Sequence, residues 1–339
     1  MRDTRETAPR VSVITAVHNA GAFLEPTLRS LLAQSFKDFE SLVIDDGSTD
    51  DSTAVVERLA AGDRRIRLFR QPTAGVAQTL NRGLRESRGQ YIAFLDHDDI
   101  WHPDKLARQV EVLDADQAVG MVGCYSALLD EQFRCLGWRF GTAARGKVYR
   151  QMVFCDLVAG GSAALVRKEA FTDAGAFDTS PEIEGRSDWD QWLRISRHWD
   201  YATVEAPLVG YTRRATNYSR DYWRMLAAGE VVLAKAAASD PELRPGIINR
   251  ALARDAFGIF CLCVADRDFD EAQRVLRRSL SRSWRPVMLS PKRWGVILVY
   301  LVARVAPRTV YDRLLAVVTP MAMQLTPGTP FIADPGTPG

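Results

Sequence analysis

Residues 11–52 read VSVITAVHNAGAFLEPTLRSLLAQSFKDFESLVIDDGSTDDS, and they carry the strongest structural signal of the chain. The segment opens with an apolar run at residues 11–17, continues with leucines at helical spacing, and returns to a second apolar run at residues 39–45. A strand, a helix and a second strand in this order form a βαβ unit, in which the two strands are parallel. The segment therefore predicts an α/β fold built on a parallel sheet.

The same alternation continues along the chain and changes after Val119, where the predicted strands become shorter and less regular. Further strands are predicted at residues 66–69, 91–95, 120–129, 134–140, 163–166 and 201–211. Helices are predicted at residues 76–86, 104–113 and 189–197, and Asp50 or Asp51 is placed to cap another helix before the third strand. We therefore expect a mostly parallel mixed sheet covered by helices.

Changes in composition divide the chain into three predicted parts. Residues 1–221 carry the α/β pattern, residues 222–320 are mainly helical, and residues 321–339 are rich in proline, glycine and threonine. The last composition is typical of a disordered tail. The sequence thus predicts one large α/β domain followed by a helical C-terminal region.

The overall composition is typical of a globular protein and bears on which partners and which cellular compartment are expected. The 339 residues are 47% hydrophobic and 25% charged, and the net charge of +2 gives no signature of nucleic-acid binding. Five scattered cysteines form no metal-binding pair, and the first ten residues lack the apolar core of a secretory signal. A cytoplasmic location is therefore expected. The longest apolar run, residues 294–303, is shorter than the roughly 20 residues that a spanning helix needs.

Aspartates gather where the predicted strands end: Asp45, Asp46, Asp96, Asp98 and Asp99. In an open α/β sheet, ligands bind at the carboxyl ends of the strands, so these acids are expected to meet on one edge. FLDHDD, residues 94–99, places three carboxylates within four positions, and Mg²⁺ or Mn²⁺ binds such oxygen ligands together with substrate phosphates. An isolated acidic turn is more often simply solvated, but the position after an apolar strand favours a metal site.

The second acidic strand end, VIDDGSTDDS at residues 43–52, is open to two interpretations. Asp45 can accept a hydrogen bond from a nucleobase imide or from ribose hydroxyls. Aspartate, glycine and serine are also the residues that an ordinary strand–turn–helix junction favours. The segment alone does not decide between a nucleotide contact and a turn.

Four segments in order together resemble family 2 glycosyltransferases, which are inverting enzymes of the GT-A type. They are residues 11–52, quoted above, AGVAQTLNRGLRESRGQYIAFLDHDDIWHPDKL (74–106), GGSAALVRKEAFTDAGAFD (160–178) and SDWDQWLRIS (187–196). The resemblance implies a GT-A type nucleotide-binding domain within residues 1–221. It also implies transfer of a sugar from a nucleotide diphosphate sugar, with a UDP-sugar favoured, to an acceptor hydroxyl of a glycan or lipid-linked molecule.

The resemblance also assigns roles to individual residues of this chain. Nucleotide and donor binding fall to Thr15, Val17, Asn19, Asp45, Asn81 and Asp96, with Asp45 on the base. Asp96 and Asp98 form the DxD pair that binds Mn²⁺ or Mg²⁺, with Asp98 as the direct ligand and Asp96 nearer the ribose and sugar. Asp188 corresponds to the catalytic base, and Asp190 is the alternative if the register is shifted.

Three positions depart from the family pattern and keep a second hypothesis open. Ser187 replaces a common glutamate before the base, Leu80 stands where arginine is frequent, and Arg214 stands where histidine is frequent. These changes are compatible with a catalytically degenerate subunit that binds a nucleotide sugar for a partner transferase. The chain lacks the GxGxxG turn of nicotinamide-dependent dehydrogenases, the phosphate loop of nucleotidyltransferases and the QxxRW box of processive synthases. One sugar per visit, in surface glycan or polysaccharide biosynthesis, is therefore expected.

The basic end of the helical region predicts a peripheral membrane contact at the inner face of the membrane. Residues 273–313 contain ten Arg or Lys and one acid, Asp312, and they interleave these cations with tryptophans and the run VILVYLV. A helix of this composition is typical of one that lies in the membrane interface. An ordinary core helix and a homodimer face are the alternatives.

Overall fold

The computed structural model describes residues 8–304 and Phe331, and in this part of the chain ten strands form one sheet. The strands are Val11–Val17 (β1), Phe39–Asp46 (β2), Ile66–Gln71 (β3), Tyr91–Phe94 (β4), Ile100–Trp101 (β5), Val119–Leu129 (β6), Cys135–Phe140 (β7), Arg145–Gly146 (β8), Leu165–Arg167 (β9) and Asp200–Thr212 (β10). The helices are Leu24–Leu32 (α1), Ser52–Gly62 (α2), Val76–Glu86 (α3), Lys105–Ala115 (α4), Tyr149–Phe154 (α5), Lys168–Ala174 (α6), Ser187–Ile195 (α7), Tyr222–Ser239 (α8), Pro245–Ala265 (α9), Phe269–Arg282 (α10), Arg285–Met288 (α11) and Pro291–Ala303 (α12).

The sheet is mixed and mostly parallel, as predicted. Its strand order is β3-β2-β1-β4-β9-β6-β10-β5, with β7 paired to β6 and β8 paired to β10. The first four strands of this order are parallel, β9 runs antiparallel to both of its neighbours, and β6 and β10 are again parallel. The parallel half fixes one functional edge, because β1, β2 and β4 all end on the same side of the sheet.

Register brings the predicted site residues to that edge. Val17 at the end of β1 pairs with Asp45 of β2, and Ile14 of β1 pairs with Phe94 at the end of β4. The N–H of Leu95 still donates to the carbonyl of Ile14, so the chain leaves the sheet just before Asp96. The two acidic segments therefore follow neighbouring strands around β1.

Three features of the local structure differ from the predicted boundaries. Helix α7 begins at Ser187 and not at Trp189, so Asp188 lies inside its first turn, where polar and acidic residues are favoured. Strand β9 begins at Leu165, because residues 161–163 form a 3₁₀ turn after Gly160, whose φ is +96°. Asp51 occupies the N-cap position of α2 without a side-chain bond, and the N–H of Ser52 donates instead to Asp50 Oδ1.

The central strands are buried on both faces, which is why they read as nearly continuous apolar runs. The largest fully buried side chains include Trp101, Trp189 and Trp192, so these tryptophans serve packing. The indole N–H of Trp189 donates to the carbonyl of Met152 at 2.8 Å, which satisfies its one polar group in the core.

The C-terminal helices contribute to two different cores. Five residues of α8, α9 and the loop between them belong to the core of the sheet: Val232, Leu233, Ala236, Leu243 and Ala251. Farther along, α9 to α12 form a second core around Phe257, Phe260, Val275, Val299 and Tyr300. The core of the sheet therefore runs across the boundary predicted between residues 221 and 222.

Two further predictions concern the end of the chain. Residues 305–330 and 332–339, which hold all of the predicted tail except Phe331, lie outside the described residues. Among the described residues, no helix combines the length and the apolar character needed to cross a membrane.

Lys235 of α8 joins this helix to the α/β domain by two ion pairs. Its Nζ contacts Asp178 and lies 2.7 Å from Asp190 Oδ1, and Asp190 is only 3% exposed. Burial tends to raise the pKa of Asp178, but hydrogen bonds from Lys235 and Ser180 outweigh it and lower the pKa to about 2. The ionised form of Asp178 is therefore stabilised in the folded chain.

We predict that Lys235→Met lowers the free energy of unfolding near neutral pH by roughly 1–2 kcal/mol, a figure that allows for solvent screening at half-exposed Lys235. The contribution of Asp178 is complete above its unfolded pKa of about 4 and is lost as the pH falls through the folded value of about 2. The difference between wild type and variant should therefore shrink over that window in urea unfolding experiments.

Arg145→Met is the matched control, because Arg145 pairs with Asp116 on the surface at side-chain exposures of 68% and 37%. Exposed pairs contribute about 1 kcal/mol or less, so this variant should change the free energy of unfolding very little. Equal losses in the two variants would contradict a special role of Lys235.

Candidate active site

The end of β2 supplies two aspartates with different surroundings. Asp45 accepts from the N–H of Ser48 at 3.1 Å and from the hydroxyl of Thr53 at 3.2 Å. Asp46 accepts from the backbone N–H groups of Ala74 and Gly75, both at 2.9 Å, and from Gln71. Asp46 therefore holds the loop that leads into α3, whereas Asp45 lies at the turn that follows the strand.

The three residues at the end of β1 that are predicted to line the nucleotide pocket differ in exposure and in their contacts. Thr15 is fully buried, and its hydroxyl has no hydrogen-bond partner among the described residues. Val17 is 1% exposed and packs in a small core with residues of α1, β2 and α2. Asn19 is exposed with a φ of +49°, and its Oδ1 accepts from the N–H of Thr49 at 2.8 Å. Thr15 and Val17 thus form the wall behind the edge, and Asn19 fixes the turn in front of it.

Asn81 is placed on α3, and both ends of its amide bind one backbone position. Its Nδ2 donates to the carbonyl of Phe177, and its Oδ1 accepts from the N–H of Phe177, each at 2.8 Å. This pair of bonds clamps the chain segment before Asp178. In the described structure the backbone of Phe177 therefore engages both polar ends of the Asn81 amide.

The three aspartates of FLDHDD take separate directions. Asp96 has an exposed side chain, and its N–H donates to the hydroxyl of Ser162 at 3.0 Å. Asp98 Oδ2 lies 3.3 Å from Nη1 of Arg214. Asp99 is 1% exposed and accepts from the N–H of Thr212 at 3.1 Å, so it supports β10 from the inside. Asp96 and Asp98 are the two that remain at the cleft.

Asp188 reaches the same cleft from the first turn of α7. Its Oδ1 accepts from the N–H of Trp189 at 2.8 Å, and burial raises its pKa. The surrounding protein atoms, with the charges of Asp98 and Asp188, raise the pKa of Asp96 to about 7. The side chain of Asp96 is nevertheless exposed to solvent at the cleft. Its pKa is therefore raised by the protein atoms close to its carboxylate and by the two like charges, and not by full enclosure in the core. Carboxylates from two parts of the sequence therefore meet here.

Asp190, the alternative base, faces away from this cleft. It is buried, and it pairs with Nε of Arg194 at 2.9 Å as well as with Lys235. Both of its oxygens are engaged in holding α7 against α8. The structure thus gives Asp188 and Asp190 different surroundings, one toward the carboxylates and one toward the core.

Sequence reasoning missed Asp156, which follows α5 in the segment CDLV. Its Oδ1 accepts from the N–H of Val158 at 2.9 Å. Burial, followed by the charge of Asp188, raises its pKa to about 7. The sequence holds no local signal for this residue, because a single aspartate between Cys155 and Leu157 belongs to no motif.

Two arginines provide the positive charge around these acids. Arg214 approaches Asp98, lies 3.4 Å from His97 Nε2, and stacks over the ring of Phe23 at 4.8 Å. Arg186 precedes α7, stacks over Trp189 at 5.3 Å, and pairs with Asp255 of α9 at 2.7 Å, where both side chains are less than 15% exposed. Arg214 therefore faces the predicted metal pair, and Arg186 lies on the side of Asp188.

Asp96 and Asp98, the two predicted metal ligands, fit a hard divalent cation that also takes ligands from outside the protein. Among the described residues, no group of three or more His, Cys, Asp or Glu side chains is arranged to hold a metal ion. Mg²⁺ and Mn²⁺ are commonly bound through one or two carboxylates and the phosphates of a substrate. Asp96 and Asp98 satisfy the protein's part of that set, and a cation would offset the burial and the like charges that together raise the pKa of Asp96.

Comparison with known sequences covers the α/β part of the chain. Residues 12–172 match the family model described as Glycosyl transferase family 2. An uncharacterized glycosyltransferase of Rickettsia conorii is 29% identical over 192 residues, 55% of this chain and 31% of that protein. The putative teichuronic acid biosynthesis glycosyltransferase TuaG of Bacillus subtilis is 39% identical over 106 residues, 31% of this chain and 42% of that protein. The chain thus spans less than half the length of either relative.

Two solved structures share the fold over most of the chain. The mannosyltransferase PcManGT of Pyrobaculum calidifontis, in complex with GDP-Man and Mn²⁺, has a TM-score of 0.58 at 20% identity, covering 92% of this chain and 80% of that one. Residues 1–349 of S. aureus TarS, in complex with UDP-GlcNAc, have a TM-score of 0.57 at 16% identity, covering 91% and 90%. The architecture is that of GT-A glycosyltransferases, and residues 12–172 of this chain belong to glycosyl transferase family 2.

Proposed function

We propose that this chain is an inverting, metal-dependent glycosyltransferase that moves one sugar from a nucleotide diphosphate sugar to an acceptor hydroxyl. The observation that carries the proposal is the meeting of Asp188 with the Asp96–Asp98 pair at the carboxyl edge of the parallel strands. Membership of residues 12–172 in a glycosyltransferase family supports it.

The donor nucleotide would bind along the ends of β1 and β2. Asp45 would accept from the base, next to the turn that Asn19 holds, with Thr15 and Val17 behind it. We favour a UDP-sugar. The solved relatives were captured with GDP-Man and with UDP-GlcNAc, so the shared fold accommodates both nucleotides.

Asp96 and Asp98 would hold Mn²⁺ or Mg²⁺ together with the donor diphosphate. When bound, such a cation stabilises the negative charge that develops on the departing diphosphate. Arg214 sits beside Asp98, and its guanidinium can pair with phosphate oxygens from the same side. Arg214 would thereby supply permanent positive charge at the leaving group.

Asp188 would act as the general base of a single displacement. It takes the proton of the acceptor hydroxyl as the oxygen attacks the anomeric carbon from the face opposite the diphosphate, which inverts that carbon. Burial raises the pKa of Asp188, and a carboxylate with a raised pKa is a stronger proton acceptor.

The acceptor is proposed to be a glycan or a lipid-linked molecule in surface polysaccharide biosynthesis, used at the cytoplasmic side and with one sugar added per visit. The name of the Bacillus subtilis relative, a putative teichuronic acid biosynthesis glycosyltransferase, supports this class of product. No observation on the chain selects a particular sugar or linkage.

The alternative is a catalytically degenerate subunit that binds a nucleotide sugar for a partner. The departures at Leu80, Ser187 and Arg214 favour it. Slow metal-dependent hydrolysis of a nucleotide sugar without acceptor separates the two, because a subunit without a working site would bind the sugar and leave it intact.

A donor panel tests the proposed function directly. We predict that one of the UDP-, GDP-, dTDP- or CMP-sugars raises the melting temperature in the presence of Mn²⁺, because a ligand that binds only the folded chain stabilises it. Failure of every donor, with and without Mn²⁺, would overturn both the transferase and the binding-subunit hypotheses.

Asp98→Ala is expected to remove the metal-dependent part of donor affinity and to leave the melting temperature nearly unchanged, because Asp98 lies at the cleft and not in the core. Calorimetric titration of the donor with and without Mn²⁺ measures this. Asp270→Ala, an exposed acid on α10, is the control and should bind like wild type. A variant Asp98→Ala whose affinity still responds to Mn²⁺ would exclude Asp98 as a ligand.

Asp188→Asn is expected to keep donor binding and to lose about 10²–10⁴ in transfer rate, as for removal of a general base. Asp190→Asn is the matched comparison on the same helix. It should lower thermal stability through its ion pairs with Arg194 and Lys235, with a smaller effect on turnover of the folded enzyme. The opposite pattern would move the role to Asp190.

Arg214→Gln is expected to weaken binding of the free nucleoside diphosphate about 10-fold or more without metal, because charge-assisted bonds to phosphate are strong. Arg134→Gln removes an arginine that pairs with Asp130 on the surface and serves as control. Equal affinities of wild type and Arg214→Gln would show that the guanidinium does not reach the diphosphate.

A further inference from the structure

The most exposed large apolar side chains of the described residues are gathered in one short part of the chain. They are Trp284 (55%), Leu289 (71%), Trp294 (47%), Leu298 (59%) and Leu301 (55%). All five lie within 18 residues at α11 and α12, and we call them the apolar ridge. Single exposed apolar residues are common, but a gathered set of this kind marks an interaction surface.

Helix α12 shows why the ridge is unusual for a surface in water. Val296, Val299 and Tyr300 are buried against the second helical core, whereas Leu298 and Leu301 point outward. A helix at a protein–water boundary normally carries polar residues on its outer face. An apolar outer face on α12 therefore requires a second apolar environment.

Every charged residue of the segment that carries the ridge is basic. Between Glu271 and Arg304 the sequence contains no acidic residue. Arg285 and Arg304 are exposed, and within residues 8–304 no acidic side chain forms an ion pair with them. Arg285 stacks over Trp284, and Arg304 follows Leu301 by one turn at the end of α12. The ridge is therefore bordered by positive charge.

We propose that the apolar ridge and its arginines dock the enzyme on an anionic lipid surface. Leucines between two tryptophans, with arginines beside them, match a layer whose interior is apolar and whose headgroups are anionic. A second copy of the chain would bring like-charged arginines together, so charge complementarity favours lipid over self-association. This docking is independent of the transfer reaction, and either can fail without the other.

Cosedimentation of the full chain with vesicles tests the proposal. Binding is expected to vesicles that contain phosphatidylglycerol, to be weaker on pure phosphatidylcholine, and to decrease at high salt, which screens surface charge. Trp294→Ser with Leu298→Ser should weaken binding about 10-fold or more, because these side chains occupy one exposed face of α12. Arg285→Gln with Arg304→Gln should weaken binding to the anionic vesicles alone.

The matched control is Trp223→Ser with Leu136→Ser, which removes the same two residue types at 43% and 38% exposure outside the ridge. It should bind vesicles like wild type. Circular dichroism melts establish that every variant is folded, and transfer to a water-soluble acceptor should be unchanged in all of them.

Three outcomes would overturn the docking proposal. Full-length protein could stay in the supernatant with anionic vesicles at low salt. The control pair could lose binding as much as the ridge pair. Alternatively, wild type could fail to bind vesicles while the ridge variant changes the oligomeric state in analytical ultracentrifugation. That result would make the ridge a contact between copies of the chain.

Discussion

Repulsion between carboxylates that share one cleft is the constraint on which the site depends. Asp96, Asp98 and Asp188 come from two different parts of the chain, and burial together with the charges of Asp98 and Asp188 raises the pKa of Asp96. Such a group of acids is unfavourable in an isolated folded chain. The sheet offsets this cost through its buried parallel strands, whose apolar core holds the strand ends in place whatever the charge at their tips.

Positive charge is supplied by residues outside the acidic motif. Arg214 comes from the segment after β10 and reaches Asp98, while Arg186 precedes α7 and is fixed by Asp255 of α9. The neutralising groups thus come from the second half of the fold. The charge balance around the cleft therefore depends on both regions, because Arg214 pairs with Asp98 at the sheet edge and Arg186 is held by Asp255 of the helical region.

Much of this arrangement could be predicted from local sequence. Apolar runs that end in aspartate located β2 and β4, and the parallel topology then placed Asp45 and Asp96 on one edge. Pairings over long sequence distances were beyond such reasoning. The clamp of Asn81 on Phe177, the support of Thr212 by Asp99, and the position of Asp156 beside Asp188 all depend on how separate segments pack. No periodicity or motif encodes these contacts.

The ion pair between Arg186 and Asp255 has a consequence for how this chain can be recombined with its relatives. A chimera that joined residues 1–221 to a foreign C-terminal region would leave the largely buried guanidinium of Arg186 without its counter-charge next to Asp188. Such a junction would disturb the surroundings of Asp188 even though every residue of the acidic motif was retained. The smallest transplantable unit of this fold therefore extends through the middle of α9, so that Arg186 keeps its partner Asp255.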